Sequence, residues 1–136
     1  MLLSFIDIIN ETIGDAVSDF LALEIILHYK GWSLANWNKL YKDLPYRMLK
    51  VTVKDRNVIT TTDAERKCVL PSDLQPAIDD LIKKYKNGRA FVRPSGTEDL
   101  IRVYAEAATQ TEADELALKV SQLVYDTAGG VNDRPT

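Results

Sequence analysis

Cysteine and histidine are nearly missing from this chain of 136 residues, which contains one of each, Cys68 and His28. A single cysteine cannot form a disulfide within the chain, and the two residues together cannot supply the four ligands of a structural zinc site. We expect Cys68 to be a buried, inert thiol and His28 to lie at a helix end. Such cysteine usage favours a reducing compartment, so we expect a cytoplasmic protein.

Long apolar runs and an excess of positive charge are missing as well. No apolar run approaches the ~18 residues that a membrane-spanning helix needs, and the N-terminus lacks the pattern of a signal peptide. The formal net charge of −3 argues against non-specific nucleic-acid binding, which depends on neutralising phosphates. We therefore expect no membrane and no nucleic acid as partners, although a small basic pocket remains compatible with this net charge.

The first part of the chain, residues 1–42, has a helical pattern. Apolar residues recur at three- and four-residue spacing through residues 1–30, and further apolar residues cover more than one face of the helix. Gly14 permits an alternative with two shorter helices. Gly31 is typical of a helix end, and Ser33 predicts the start of a short helix over residues 34–41. An apolar surface this wide predicts a lead-in that packs against a neighbour.

Residues 43–136 have the pattern of a small α+β domain. Period-two alternation predicts a strand at 46–54, and strands are also predicted at 90–93 and 100–107, with a short extended segment at 58–61. A capping box of Ser72 and Gln75 predicts one helix, and Thr111 with Asp114 predicts the start of another. The order predicts a mostly antiparallel sheet of three to four strands with two helices packed on one face.

The loop Pro94-Ser95-Gly96-Thr97-Glu98-Asp99 has an unusual composition for a hairpin turn. The amides of Ser95, Gly96 and Thr97 would converge on an anion if Gly96 lets the backbone turn, and two hydroxyls add donors. Arg93 and Arg102 flank the loop, and planar guanidinium groups match phosphate oxygens. The stretch therefore predicts a phosphate-binding site.

Other interpretations remain open. The loop could be a solvent-exposed hairpin whose arginines pair with Glu98 and Asp99; in a phosphate site the same two carboxylates would have to point away from the phosphate and hold the arginines in place. The domain could also be a stand-alone module for phosphorylated ligands or nucleic acid, or a structural lid. Against RNA binding, the strands AFVRP and IRVYAEA lack the interleaved, exposed aromatic residues on which bases stack.

The stretch FVRPSGTEDLIRVYAEA resembles the C-terminal phosphate-binding loop of the α-D-phosphohexomutase family. Four further stretches are similar to family members that act on N-acetylglucosamine phosphates, so that the resemblance covers nearly the whole chain: NETIGDAVSDFLALEIIL, KGWSLANWNKLYKDLPYRMLKVTV, TTTDAERK and AGGVNDRP.

The resemblance implies an enzyme of four domains that interconverts the 6-phosphate and 1-phosphate of N-acetylglucosamine, in UDP-N-acetylglucosamine biosynthesis. An active-site phosphoserine and Mg²⁺ perform the transfer, and the last domain binds the phosphate that is not reacting. By the family's motif, the implied substrate-binding residues are Arg93, Pro94, Ser95, Gly96, Thr97 and Arg102. Residues 1–42 then correspond to the end of the preceding sugar-binding domain and a linker.

Three of the family's active-site elements are missing from this sequence: the Ser-His-Asn-Pro phosphoserine loop, the Asp-x-Asp-x-Asp metal loop and the sugar-recognition loop. We therefore interpret the chain as a C-terminal fragment without catalytic residues or metal ligands of its own. Its expected partners are a sugar phosphate and the N-terminal domains of the same enzyme, which would supply the Mg²⁺ ligands.

Overall fold

The computed structural model describes residues 14–136 of the chain. The chain divides into two compact units at the junction between Asp43 and Leu44. The part of the predicted helix that precedes Gly14 lies outside the described residues. No helix within residues 14–136 is both long and apolar enough to cross a membrane.

Within residues 14–43 the first unit contains two helices, α1 (Ala16–Lys30) and α2 (Leu34–Trp37). The side chain of Asp15 caps α1 by accepting from the N–H groups of Val17 and Ser18. Gly31 ends α1 in the left-handed region, with φ of 62°, and its N–H donates to the carbonyls of the last turn. Several large apolar side chains of α1 are exposed, in agreement with an apolar surface wider than one face: Val17, Phe20, Leu21, Ile25 and Tyr29.

The second helix of this unit is shorter than predicted. Ser33 starts α2 as expected and forms a capping box with Asn36, but the helix ends at Trp37 rather than at residue 41. Beyond Trp37 the chain continues in tight turns in which Lys39 and Leu40 donate to carbonyls three residues earlier. Apolar spacing alone did not distinguish these turns from α-helix.

The second unit is an α+β domain, as predicted. In chain order its elements are β1 (Tyr46–Thr52), a 3₁₀ turn (Arg56–Val58), β2 (Thr60–Thr62), β3 (Lys67–Leu70), α3 (Leu74–Ile82), β4 (Arg89–Pro94), β5 (Leu100–Glu106) and α4 (Gln110–Thr127). The main sheet has the strand order β1-β5-β4, and both pairs of strands are antiparallel. Helices α3 and α4 pack on this sheet.

Buried and more exposed residues alternate along the three strands, so the sheet has one buried face and one open face. The buried face packs against the two helices and contains Val51, Ala90, Val92, Ile101, Val103 and Ala105. From the helices, Leu74 and Ile78 of α3 and Leu116, Val120 and Val124 of α4 fill the same core. Residues at the intervening positions of the strands project to the opposite, open face.

The segment between β1 and α3 differs from the prediction. The extended segment expected at residues 58–61 is a 3₁₀ turn followed by β2, and β2 pairs with β3, a strand that was not predicted. The turn between them places Asp63, Ala64 and Glu65 in the left-handed region, with φ of 54°, 52° and 65°. Strands β2 and β3 are only three and four residues long, and their sequence shows no period-two alternation of apolar residues, so this hairpin was missed.

The two domain helices begin differently from the capping boxes predicted for them. Asp73 is the N-cap of α3 and makes no capping bond through its side chain. Gln75 instead accepts from the Cys68 amide at 2.6 Å and so joins α3 to β3. Helix α4 is capped by Thr109, which accepts from Glu112, so the prediction from Thr111 was two residues late.

Two predictions about side chains can be compared with contacts in this unit. Acidic and basic residues at i,i+4 spacing in the sequence predict the ion pairs Asp79–Lys83 and Asp80–Lys84. Neither pair is formed, and Lys83 instead contacts Asp80 at 2.8 Å. Cys68 is buried as predicted, and burial raises the pKa of its thiol, with Asp73 adding to the shift. A raised pKa keeps the thiol protonated near neutral pH, which agrees with an inert residue.

Candidate functional site

The loop that follows β4 is held closed by backbone hydrogen bonds. In the register of β4 and β5, Arg93 faces Arg102. Beyond these strands the Ser95 N–H donates to the Leu100 carbonyl at 2.9 Å, and the Leu100 N–H donates to the Glu98 carbonyl at 2.8 Å. Residues 96–99 therefore project past the last hydrogen bond of the hairpin.

The amides of this loop differ from the predicted nest in one respect. The Ser95 N–H is occupied by Leu100, so it is not available to an anion. The N–H groups of Gly96 and Thr97 donate to no other group within residues 14–136. Two neighbouring amides of the predicted three are thus free to bind a ligand.

The Ser95 side chain is the one buried polar group without a partner among the described residues. Ser95 is 4% exposed, and its Oγ makes no hydrogen bond within residues 14–136. A buried hydroxyl without a partner costs about 1–3 kcal/mol. Such a cost is offset if a ligand oxygen hydrogen-bonds to the hydroxyl.

Gly96 is not required by the backbone conformation of the loop. Its φ lies outside the left-handed region, in contrast to Gly31 and Gly129. A Cβ added at Gly96 would meet no atom within 4 Å. The prediction that Gly96 is needed for the turn is therefore wrong, and the protein itself would tolerate a larger residue. A close approach of a ligand to the backbone would explain a glycine at this position.

The two arginines lie on the open face of the sheet, side by side on β4 and β5. Arg93 Nη1 lies 3.0 Å from Glu65 Oε2, on the turn between β2 and β3. Arg102 makes no ion pair within residues 14–136. Neither Glu98 nor Asp99 pairs with an arginine in this range, so both interpretations that paired them were wrong. The residue that contacts Arg93 lies 28 positions earlier in the sequence and was missed.

A cavity of about 340 Å³ lies on the open face next to these arginines. Its lining comes from all three strands and from the turn after β2: Met48, Leu49, Lys50, Ala64, Glu65, Arg66, Phe91, Arg93, Arg102, Val103 and Tyr104. The polar lining is mostly cationic, since Arg66 and Arg93 each have one carboxylate partner while Lys50 and Arg102 have none within residues 14–136.

Aromatic side chains also lie on the open face, but the two from the strands AFVRP and IRVYAEA, Phe91 and Tyr104, are partly buried rather than exposed. Phe91 and Tyr104 stack with ring centroids 4.9 Å apart, and Tyr46 stacks on Tyr104 at 5.7 Å. Tyr104 donates to Glu106 at 2.6 Å; burial, followed by this contact, raises the pKa of Tyr104. Because the rings stack on one another across the strands, part of each aromatic face is already covered.

The family resemblance implies Mg²⁺, whose ligands are expected in other domains. Within residues 14–136 no group of three or more His, Cys, Asp or Glu side chains is arranged to hold a metal ion. Glu65, the carboxylate that lines the cavity, accepts a hydrogen bond from Arg93. The cationic groups that line part of the cavity suit an anion.

Comparison with protein families gives two matches along the chain. The C-terminal domain of phosphoglucomutase/phosphomannomutase matches residues 48–123, and domain III of phosphoacetylglucosamine mutase matches residues 1–32. The phosphoacetylglucosamine mutase of Sus scrofa is 59% identical over 135 residues, or 99% of this chain, and that of Homo sapiens is 58% identical over the same length.

The fold of this chain also matches the solved structure of a relative. Aspergillus fumigatus N-acetylphosphoglucosamine mutase, in complex with GlcNAc-6P and magnesium, matches 93% of this chain with a TM-score of 0.84 at 48% identity. The match covers 24% of the Aspergillus chain and 25% of the porcine and human proteins. This chain therefore spans about a quarter of the length of the relatives it matches.

Proposed function

The chain belongs to the phosphoglucomutase/phosphomannomutase family through its C-terminal domain, and on that premise we propose that its loop and arginines bind the phosphate group of a sugar phosphate. The proposed site consists of Arg93, Pro94, Ser95, Gly96, Thr97 and Arg102. Pro94 contributes no N–H; its fixed φ positions the chain where β4 passes into the loop. The other residues supply amides, hydroxyls and guanidinium groups.

The observation that favours a ligand most directly is the combination of Ser95 and Gly96. Ser95 has a buried hydroxyl without a partner in residues 14–136, and Gly96 is a glycine that neither backbone conformation nor packing requires. A bound phosphate would supply an acceptor for the hydroxyl and would need the space above the glycine. An ordinary hairpin turn has neither requirement.

The whole protein is proposed to be a phosphoacetylglucosamine mutase, an isomerase that interconverts the 6-phosphate and 1-phosphate of N-acetylglucosamine for UDP-N-acetylglucosamine synthesis. Relatives that carry this name match 99% of the chain. In this proposal the second unit binds the phosphate that is not reacting. The phosphoserine, the Mg²⁺ ligands and the sugar-recognition loop come from other domains, and the enzyme acts in the cytoplasm.

The role of the second unit follows from what its site offers. Two free amides and two arginines recognise a phosphate dianion but provide no general base and no nucleophile next to it. The site can therefore hold and orient a substrate while the transfer takes place elsewhere. Residues 1–42, whose first 32 residues match domain III, are proposed to be the end of the preceding domain and a linker.

The aromatic rings near the arginines give some support to the alternative that the domain binds nucleic acid. Titration of the 136-residue chain with a sugar phosphate and with single-stranded RNA distinguishes the two proposals. We expect N-acetylglucosamine 6-phosphate to shift the amide resonances of Gly96 and Thr97, while N-acetylglucosamine without phosphate leaves them in place. Single-stranded RNA that binds through Phe91 and Tyr104, with no response to the sugar phosphate, would support the binding-module interpretation instead.

A further inference from the structure

Three cationic residues form one row across the open face of the main sheet. Lys50 faces Arg102 in the pairing of β1 with β5, and Arg102 faces Arg93 in the pairing of β5 with β4. Facing residues of antiparallel strands project to the same side, with their Cβ atoms about 4.5–5.5 Å apart. All three are exposed and line the same cavity.

This row places like charges directly opposite each other, which is destabilising. Within residues 14–136 the only ion pair made by the row is that of Arg93 with Glu65. Three positive groups and one negative group leave a formal charge of +2 on this patch of the sheet. A phosphate monoester has a charge of about −1.5 to −2 near pH 7, so one such group would neutralise the patch.

Lys50 lies at the same level along the strands as Arg102, two residues from the loop end of the sheet. Thr52 faces Leu100 at the loop end of the sheet, and the Val53 N–H donates to the Asp99 carbonyl at 3.1 Å. Lys50 precedes Thr52 by two residues, and Arg102 follows Leu100 by two residues. Lys50 and Arg102 therefore lie at the same level along neighbouring strands. Lys50 is on one side of Arg102, and Arg93 is on the other.

We propose that Lys50 is a third cationic ligand of the phosphate bound by Arg93, Arg102 and the loop. This inference rests on the proposed function and adds a residue from outside the loop motif. The ammonium group has a flexible stem of four carbons, so it can follow a phosphate that arrives on either end of the sugar. With Lys50 the formal charge of the row and Glu65 matches that of the phosphate dianion in magnitude.

The test uses Lys50→Met in the 136-residue chain, with Lys84→Met as the matched control. Lys84 lies beyond the C-terminal end of α3 and lines no part of the cavity. NMR titration with N-acetylglucosamine 6-phosphate should show Kd raised at least about tenfold for Lys50→Met, as expected for loss of one charge-assisted contact. The control should match the parent chain, and Lys50→Arg should retain most of the affinity.

A second measurement distinguishes ligand binding from a structural role of Lys50. The second pKa of a phosphate monoester is about 6, so dianion binding by the parent chain should weaken as the pH is lowered through that value. Lys50→Met should show a smaller pH effect and a smaller dependence of Kd on salt. Without ligand and at low salt, its Tm should equal or exceed that of the parent, because repulsion with Arg102 is removed.

The results of these titrations distinguish failure of the Lys50 inference from failure of the proposed phosphate site. If Lys50→Met binds the sugar phosphate as the parent does while Arg93→Met and Arg102→Met bind it weakly, Lys50 is not a ligand and the phosphate site stands. If none of the three substitutions changes Kd, the phosphate site itself is wrong. A loss of affinity in Lys50→Arg equal to that in Lys50→Met would also overturn the inference, since the charge would not matter.

Discussion

Arg93 of β4 donates from Nη1 to Glu65 Oε2 across 3.0 Å, although 28 residues separate the two in the sequence. The carboxylate reaches the arginine because three consecutive residues, 63–65, adopt left-handed conformations at the tip of the hairpin of β2 and β3. Non-glycine residues in this region are unfavourable, so the turn must be stabilised by its surroundings. The ion pair of Arg66 with Asp63, at 2.7 Å, is one such contact.

Removal of the negative charge on Glu65 is expected to strengthen anion binding. In Glu65→Gln the side chain keeps an acceptor for Arg93, but the carboxylate no longer repels a phosphate bound nearby. Two charges several ångströms apart in a largely solvated site interact by about 0.5–1 kcal/mol, so Kd for N-acetylglucosamine 6-phosphate should fall about twofold to fivefold at low salt. The effect should disappear near 0.5 M salt, where the Debye length is about 4 Å. A weaker affinity in Glu65→Gln would indicate that the charge orients Arg93 instead.

Replacement of either loop arginine is expected to impair the full-length enzyme strongly. A charge-assisted hydrogen bond contributes about 1.5–3 kcal/mol, so Arg93→Ala and Arg102→Ala should each lower kcat/KM roughly tenfold to a hundredfold. Steady-state kinetics of the mutase reaction give this value, with Lys84→Ala as the control that keeps parental kinetics. Kinetics of both arginine variants within twofold of the parent would contradict the site.

The variant Gly96→Ala tests whether a glycine is needed at position 96 for ligand binding or for folding. The φ of Gly96 and the open space around it permit alanine, so the free energy of unfolding should stay the same or rise by up to about 1 kcal/mol. Affinity for the sugar phosphate should fall about tenfold, because the new methyl group occupies the ligand's space. Gly129→Ala is the matched control: φ of 68° makes it destabilising by about 1 kcal/mol, with no effect on Kd.

The main sheet could be predicted from the sequence because its signals are local. Alternation of buried and exposed residues identified β5, and the same alternation placed Arg93 and Arg102 near one another once a hairpin was assumed. Glu65 could not be found in this way, since its position depends on how a second hairpin packs. The opposition of Lys50 to Arg102 depends on strand order, with β5 between β1 and β4, and no local pattern contains that information.

The hydrogen bonding of the loop was predicted only in part. A sequence does not reveal that the Ser95 amide closes the hairpin on Leu100, because this depends on where the register of β4 and β5 ends. It also does not reveal that Gly96 has an ordinary φ. Both facts change the chemical argument: the proposed anion site would have two free amides rather than the three predicted, and space for a ligand would explain the glycine.

The 136-residue chain by itself is expected to have no mutase activity. It contains neither a Ser-His-Asn-Pro phosphoserine loop nor an Asp-x-Asp-x-Asp metal loop, so it has no group to donate or accept the phosphoryl. A coupled assay with sugar phosphate, hexose bisphosphate and Mg²⁺ should give the background rate. Turnover that persists through repeated purification, and that a substitution in this chain abolishes, would contradict the fragment interpretation.

The loop should respond in the same way to the 1-phosphate and to the 6-phosphate of N-acetylglucosamine. If the sugar reverses its orientation between two phosphoryl transfers, the distal phosphate comes from C1 in one pose and from C6 in the other. Gly96 and Thr97 have free amides, whereas the Ser95 amide is bound to Leu100. NMR titration of the chain with either ligand should therefore shift the amide resonances of Gly96 and Thr97 most and that of Ser95 less.

Binding should be weak, roughly millimolar, because one phosphate must offset the entropic cost of association. Shifts confined to the lysines at residues 83–86, with the loop unchanged, would show that the loop is only a turn.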